Sequence, residues 1–432
     1  MNNKRIVVTT FLLVALAACI YAQDWPQFLG PEKNSTSPQK GILRTWPETG
    51  PEVLWSTNVG IGYGGPVVKD GKVFLLDRDD NVGDKMRCFD LLSGKELWNF
   101  GYESPGSLPF PGSRSVPAVD GNYVYSCGPN GNLYCFNINT HKPVWNKNIW
   151  TSFGGNRIPM FGVSQCPLIY GDLLILASQA PEAGVVAYDK LTGNLKWKTP
   201  SLGPVGNVSP AIVKVDGKDH VVMITASPRG GGNGKVVGID PITGEILWEF
   251  TNWQCEFPVP GATDAGDNKV LIVGGYELGA VMLQLEKKAD GKYGIKELFR
   301  TEEFGAHTKP PIFYNGYFYA QYGTNSRRDG LVCMSIDGQI MWKTRRSPSF
   351  DKGSMILAEG LILATDGARA LYLIQPDPTA FKPLASAELF NEGSGNTSGI
   401  GGATQNWAPI VLSDGKLLIR DQTRLLCVKV TN

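Results

Sequence analysis

A bulky aromatic residue closes a β-rich stretch at Trp55, Trp98, Trp145, Trp197, Trp248, Phe299, Trp342 and Phe390, eight landmarks separated by 43 to 52 residues. That interval holds four short strands with their turns. Sheets repeated at this period cannot bury their faces alone and are covered by stacking radially on their neighbours. Within each period the same pieces recur in order. A short apolar strand runs into an Asp-Gly or Asn-Gly pair, as at Asp70-Gly71, Asp216-Gly217, Asn315-Gly316 and Asp414-Gly415. Such pairs supply the positive φ of a tight hairpin. A second, continuously apolar strand follows (72–77, 173–178, 220–227, 361–367, 416–421), the pattern of a strand buried on both faces. The third strand ends in Asp90, Asp189 or Asp240, and the fourth follows a Gly turn, at Ser93-Gly94, Thr192-Gly193 and Thr243-Gly244, before reaching the aromatic residue. The pattern predicts an all-β, eight-bladed β-propeller of four-stranded antiparallel blades. The large rings, Trp55 through Phe390, are its docking residues, each covering the flat face of the next blade.

The two ends predict closure. Leu425–Val430 reads as a third strand with no fourth after it, and Glu52–Trp55 as a fourth strand with no blade before it. Pairing them completes the last blade with the N-terminal strand and removes the exposed sheet edges.

Upstream of the repeats, Lys4 and Arg5 precede an uncharged run from Ile6 to Ile20 that ends in small residues, the order of parts in a secretory signal. Two readings stay open: cleavage after Ala22, or a lipobox at Leu16-Ala17-Ala18-Cys19 in which Cys19 is acylated. Residues 1–22 are thus expected to be a signal and 23–432 a single propeller domain, exported to the periplasm or cell surface, soluble or membrane-anchored. Losing Lys4 and Arg5 changes 41 basic against 40 acidic residues to 39 against 40. A chain this near neutral, with no block of like charges, is not a sequence-independent nucleic-acid binder and has no polybasic membrane contact.

The recurrent third-strand Asp, the Thr-Gly turn and the terminal Trp resemble those of the pyrroloquinoline-quinone-repeat propellers, over essentially all of 23–432. Asp24-Trp25-Pro26-Gln27-Phe28-Leu29-Gly30-Pro31 resembles the opening of that superfamily's exported bacterial branch. The resemblance implies kinship with two groups: quinone-dependent alcohol and sugar dehydrogenases, and the lipoprotein of the outer-membrane protein assembly machinery. In the dehydrogenases it implies an adjacent Cys-Cys disulfide over the quinone, a Trp beneath it, and Glu, Asn and Asp around Ca²⁺. Here no two cysteines are adjacent. The repeat itself encodes blade packing and is silent about chemistry.

Cys88, Cys135, Cys333 and Cys427 share the third-strand slot that Ala187 and Gly238 fill elsewhere, so they read as small buried hydrophobes. His141 is expected in a turn and His220 in a turn or at the surface. His307 lies in a blade-to-blade loop of the kind that converges on the central funnel. The candidate ligand face gathers Arg114, Arg157, His307, Arg327, Arg328, Asp329 and Arg369, with Asn156, Glu182, Arg229, Glu256, Glu277, Asn406 and Arg424 alongside. Guanidinium forks around a channel suit a carboxylate, phosphate or acidic glycan. No catalytic or metal residue is assigned, and residues 392–402 are expected to form a long connector. The expectation is an exported, non-catalytic platform for a protein partner or extracellular ligand, with no cofactor. The alternative is an oxidoreductase using pyrroloquinoline quinone with Ca²⁺.

Overall fold

The computed structural model describes residues 23–228, 231–323, 329–390 and 405–432. Eight four-stranded blades follow the repeat. Blade 1 comprises Val67–Lys69, Lys72–Asp79, Gly83–Asp90 and Glu96–Glu103. Blades 2, 3 and 4 end in Lys142–Asn148, Leu195–Lys198 and Ile246–Trp253, and blades 5, 6 and 7 in Tyr293–Thr301, Ile340–Lys343 and Lys382–Glu388. Blade 8 takes Val411–Ser413, Lys416–Arg420 and Arg424–Lys429 from the C-terminal part and Val53–Asn58 from the N-terminal part, with Trp55 opposite Cys427, which is the predicted closure. A staple holds the closing seam: the buried Arg420 guanidinium donates to Gly64 O at 2.9 Å and Gly60 O at 2.6 Å. Blade 5 has the shortest first strand, Thr263–Asp264. Two residues carry no readable pattern, so that strand is not legible from sequence.

Each part of the repeat has a mechanical job. The third-strand Asp caps the following turn; Asp189 Oδ1 accepts the N–H groups of Leu191 at 3.1 Å and Thr192 at 3.0 Å, and Asp240 Oδ1 those of Ile242 at 2.8 Å and Thr243 at 2.9 Å. The turn then needs Gly244, at φ +77°, where a Cβ would lie 2.6 Å from the Trp197 ring of the preceding blade. The indoles are fixed by a recurring hydrogen bond to the next blade: Trp55 Nε1 donates to Leu91 O, Trp145 to Lys190 O, Trp197 to Pro241 O and Trp342 to Asp377 O, at 2.8 to 3.2 Å. Opposite the rings sit the small third-strand residues, Cys88 facing Trp98, Cys135 facing Trp145, Ala187 facing Trp197, Gly238 facing Trp248 and Cys333 facing Trp342. The seven described cysteines are all unpaired as thiols.

Two expectations are corrected. Phe390 is not the docking residue of blade 7: that register position, opposite Leu373, is Ala385. Phe390 lies beyond the strand, fully buried under the Arg424 guanidinium at 5.2 Å. His220 is not a surface residue; it is 1% exposed, and its Nδ1 accepts the Trp248 Nε1 hydrogen bond at 3.0 Å. Trp248 therefore anchors within its own blade. His141 does occupy a turn, at φ +60°, and Trp98 stacks on its ring at 5.2 Å where other blades place glycine.

The segment 24–37 is a strap. It pairs Trp25 with Val68 of blade 1, and its Pro26 carbonyl accepts the Val119 N–H of blade 2 at 2.8 Å. It then shares a cleft with Ile212, Thr263 and Phe313 of blades 4, 5 and 6, and ends paired in parallel, Thr36–Ser37, against Leu357–Ala358 of blade 7. Its partners stand round the central axis, so the strap floors the channel on the side of the first hairpin turns.

Candidate functional site

Above this floor opens a central cavity of about 710 Å³, with Phe28 of the strap at its base. Its wall comes from the loops that lead from one blade to the next, joined by the turns after the second strands of blades 5 and 7, which bring Tyr276 and Asp366. Neighbouring aromatic rings run round much of it in an unbroken arc. Trp407 stacks on Tyr63 at 5.2 Å, Tyr63 meets Phe110 at 5.9 Å, and Phe110 meets Phe161 at 6.1 Å. Phe161 then meets Phe257 at 5.7 Å, Phe257 meets Tyr276 at 6.0 Å, and Tyr276 meets His307 at 4.5 Å.

The arc is completed by charge. Lys309, Asp351, Lys352 and Asp366 line the remaining wall. Lys352 pairs with Asp351 at 2.8 Å, and its ammonium lies 4.7 Å from the Trp407 ring. Asp366 is turned into its own loop: Oδ1 accepts the N–H groups of Ala368, Arg369 and Ala370 at 2.8, 2.9 and 3.0 Å. Burial still raises its carboxyl above the usual range. Lys309 donates to Trp407 O at 2.8 Å and to Thr308 Oγ1 at 3.3 Å, and among the described residues it has no carboxylate partner. Burial lowers its ammonium to about 8. His307 has an Nδ1 with no hydrogen-bond partner among the described residues. Its imidazole is pushed down to about 3 by burial and by the adjacent Lys352 and Lys309, so it is neutral.

Of the candidates named from sequence, the cavity wall contains Arg114 and His307. Arg114 directs its fork at backbone, donating to Phe161 O at 2.5 Å and through Nε to Phe110 O at 3.0 Å, and burial lowers its guanidinium to about 10. Arg157 is exposed outside the wall. The Asp329 carboxylate takes Lys343 at 2.9 Å, outside the wall, and Arg369 stands just beyond the lining residues Gly367 and Ala368. Asn406 is buried beside Asp366, and Arg424 is committed to Asp421 at 2.9 Å within blade 8. Asn156 and Glu182 are exposed, and Glu256 and Glu277 line no part of the cavity. Arg229, Arg327, Arg328 and the 392–402 connector lie outside the described residues.

Polar loop residues alone do not reveal the aromatic arc, and Lys309 stands out only through its lack of a carboxylate partner among the described residues, which packing decides. A signal existed: several connections between blades carry an aromatic residue a few positions ahead of the next inner strand, as in Tyr63 before Pro66 and Trp407 before Pro409.

A divalent cation such as Ca²⁺ needs several convergent oxygen ligands. Among the described residues no three His, Cys, Asp or Glu side chains come together, and Asp351 and Asp366 are engaged by Lys352 and by backbone. With no adjacent cysteines either, the described residues do not fit a Ca²⁺-quinone centre of the dehydrogenase kind.

No helix among the described residues is long and apolar enough to cross a membrane. Residues 39–158 and 83–254 match the family described as outer membrane protein assembly factor BamB, together half of the chain. The quinoprotein alcohol dehydrogenase PedH of Pseudomonas putida is 31% identical over 153 residues, covering 33% of this chain and 24% of that protein. The quinoprotein ethanol dehydrogenase of Pseudomonas aeruginosa is 27% identical over 164 residues, 35% of this chain and 24% of that protein. The matched regions thus span about a quarter of these relatives' lengths. Among solved structures, BamB from Moraxella catarrhalis superposes with a TM-score of 0.56 at 11% identity, over 88% of this chain and 99% of that one. The quinohemoprotein alcohol dehydrogenase of Comamonas testosteroni superposes with a TM-score of 0.60 at 13% identity, over 95% and 81%. These likenesses are of fold. On repeat pattern, blade architecture and sequence match together, the chain belongs to the family of PQQ-like β-propellers.

Proposed function

We propose that this protein is an exported, non-catalytic binding platform whose funnel receives an anionic ligand. The observation that carries the reading is the composition of the cavity wall. Lys309 and Arg114 face it with no carboxylate partner among the described residues, beside an arc of rings able to hold a flat or apolar ligand face. Lys352, by contrast, is offset by Asp351. A cavity of about 710 Å³ is within the ordinary range for small-molecule sites. An acidic sugar suits both halves of the wall, with a carboxylate at Lys309 and a pyranose face on the rings.

The test is calorimetric titration with an oligogalacturonate at low and moderate salt. Saturable, salt-sensitive binding is expected, weakened roughly 10- to 100-fold by Lys309→Met, since a charge-assisted hydrogen bond contributes about 1.5–3 kcal/mol. Absence of saturable binding at millimolar ligand, or binding indifferent to the substitution, overturns the reading.

The second reading is quinone-dependent oxidation, favoured by the sequence match to two alcohol dehydrogenases. Pyrroloquinoline quinone with Ca²⁺, added to the same protein with a dye acceptor and an alcohol or sugar, discriminates the two. Turnover establishes the second reading and removes the first.

A further inference from the structure

We propose that Lys309 is a carbonyl-trapping amine, which forms a reversible imine with an aldehyde group on a ligand held in the funnel. This goes beyond anion binding and rests on that reading only in placing the ligand in the same cavity.

The hydrogen-bond inventory around Lys309 Nζ carries the inference. An ammonium has three N–H donors, whereas a neutral amine has two and a lone pair. The structure supplies two acceptors, Trp407 O at 2.8 Å and Thr308 Oγ1 at 3.3 Å, and among the described residues no carboxylate within ion-pairing distance. The Thr308 hydroxyl donates its own proton to Lys352 O at 3.5 Å, so its lone pairs stay available to Lys309. Two acceptors leave either the third N–H of the ammonium or the lone pair of the amine without a protein partner among the described residues, and the residue lines the cavity a ligand would fill. Burial favours the amine of these two, lowering the group to about 8. A lysine desolvated in an apolar pocket is a recognised form of activated amine.

The neighbours favour this nitrogen over other nucleophiles. Cys166 shares the wall, but burial raises its thiol and keeps it protonated. Lys352 is engaged in an ion pair with Asp351 at 2.8 Å. The reaction is balanced without a redox partner. The Nζ lone pair attacks the carbonyl carbon to give a carbinolamine; nitrogen loses its proton, the hydroxyl leaves as water, and C=N remains. Hydrolysis reverses it. The ligand class is an aldehyde, of which the open-chain form of a reducing sugar acid is the case that also satisfies the cationic wall.

The test is reductive trapping. The full mature protein is treated near neutral pH with benzaldehyde, an uncharged probe, and cyanoborohydride, and modified lysines are mapped by peptide mass spectrometry over time. A group lowered from 10.5 to about 8 is neutral a few hundredfold more often near pH 7 than an ordinary lysine. Because nucleophilicity falls with basicity, the expected labelling advantage of Lys309 is about tenfold or more over exposed lysines such as Lys218. Lys309→Arg should abolish the fast-labelling peptide, while Lys352→Arg should keep it. Labelling that follows solvent exposure, with Lys309 among the slow sites, overturns the proposal. Wild-type mapping alone decides should the variant not fold. The uncharged probe keeps this outcome separate from failure to bind oligogalacturonate.

Discussion

Replacing Trp197 by Ala tests the docking principle at a site with no link to the funnel. The indole is 9% exposed, lies across Gly244 of the next blade and donates to Pro241 O at 3.2 Å. Burying about 200 Å² of ring at about 25 cal/mol/Å² gives an upper value near 5 kcal/mol. Truncations of buried Trp cost about 3–5 kcal/mol, and the lost hydrogen bond accounts for about 1 kcal/mol of that range. We expect a destabilisation of about 4 kcal/mol. Unfolding entropy near 2.1 cal/mol/K per residue over about 410 residues comes to about 0.9 kcal/mol/K, so the melting temperature should fall by about 4–5 °C. Urea unfolding followed by circular dichroism and by Trp fluorescence gives the free energy directly where the two probes coincide. A loss below about 1 kcal/mol, with a melting shift under about 1 °C, would refute the claim that these rings hold blade to blade.

Two further outcomes concern the core and the funnel. Gly238→Val places a Cβ 2.0 Å from the Trp248 indole, and overpacking of this kind should cost about 1–3 kcal/mol or more in urea unfolding, whereas Ala187→Gly at the matching slot of blade 3 should cost less. His307 is neutral in the folded state because burial and two lysines push it to about 3, while in the unfolded chain it titrates near 6.5. The unfolded state therefore takes up a proton first. Stability should hold above about pH 6.5 and decline as pH falls from there toward 3, with a slope approaching about 1.4 kcal/mol per unit from this one group. His307→Gln should flatten that part of a pH-dependent unfolding series; an unchanged slope would show that the imidazole is not shielded from protons.

The fold was legible because the repeat writes each mechanical part into sequence. Asp189, Thr192, Gly193 and Trp197 are cap, turn, clearance and ring, and each is needed at its own spacing. Where the parts are missing, the reading slipped. Blade 7 has Ala385 in place of the ring, and Phe390, five residues on, falls nearer the repeat spacing and so resembles it in sequence. His220 looks like a turn residue because only tertiary structure reveals that Trp248 takes its hydrogen-bond acceptor from its own sheet. The funnel was less legible. Its loops are far apart in sequence, so that Tyr63 and Trp407 stack across a gap of more than three hundred residues. Convergence of that kind leaves no local pattern. Charge alone also misled: Arg157 and Arg369 resembled binding residues, yet what singles out Lys309 is the lack of a counter-ion, a property of packing.

The strap has a consequence for how the molecule can be displayed. Gln23 is fastened to Asp414 Oδ1 at 2.7 Å, in a hairpin turn on the floor side, and Thr431 returns to the same side beside Ile42. Both ends of the folded body therefore leave from beneath the cup. Anything attached ahead of Gln23, whether lipid, tag or immobilising surface, is held on the floor side, away from the aromatic arc of the cavity.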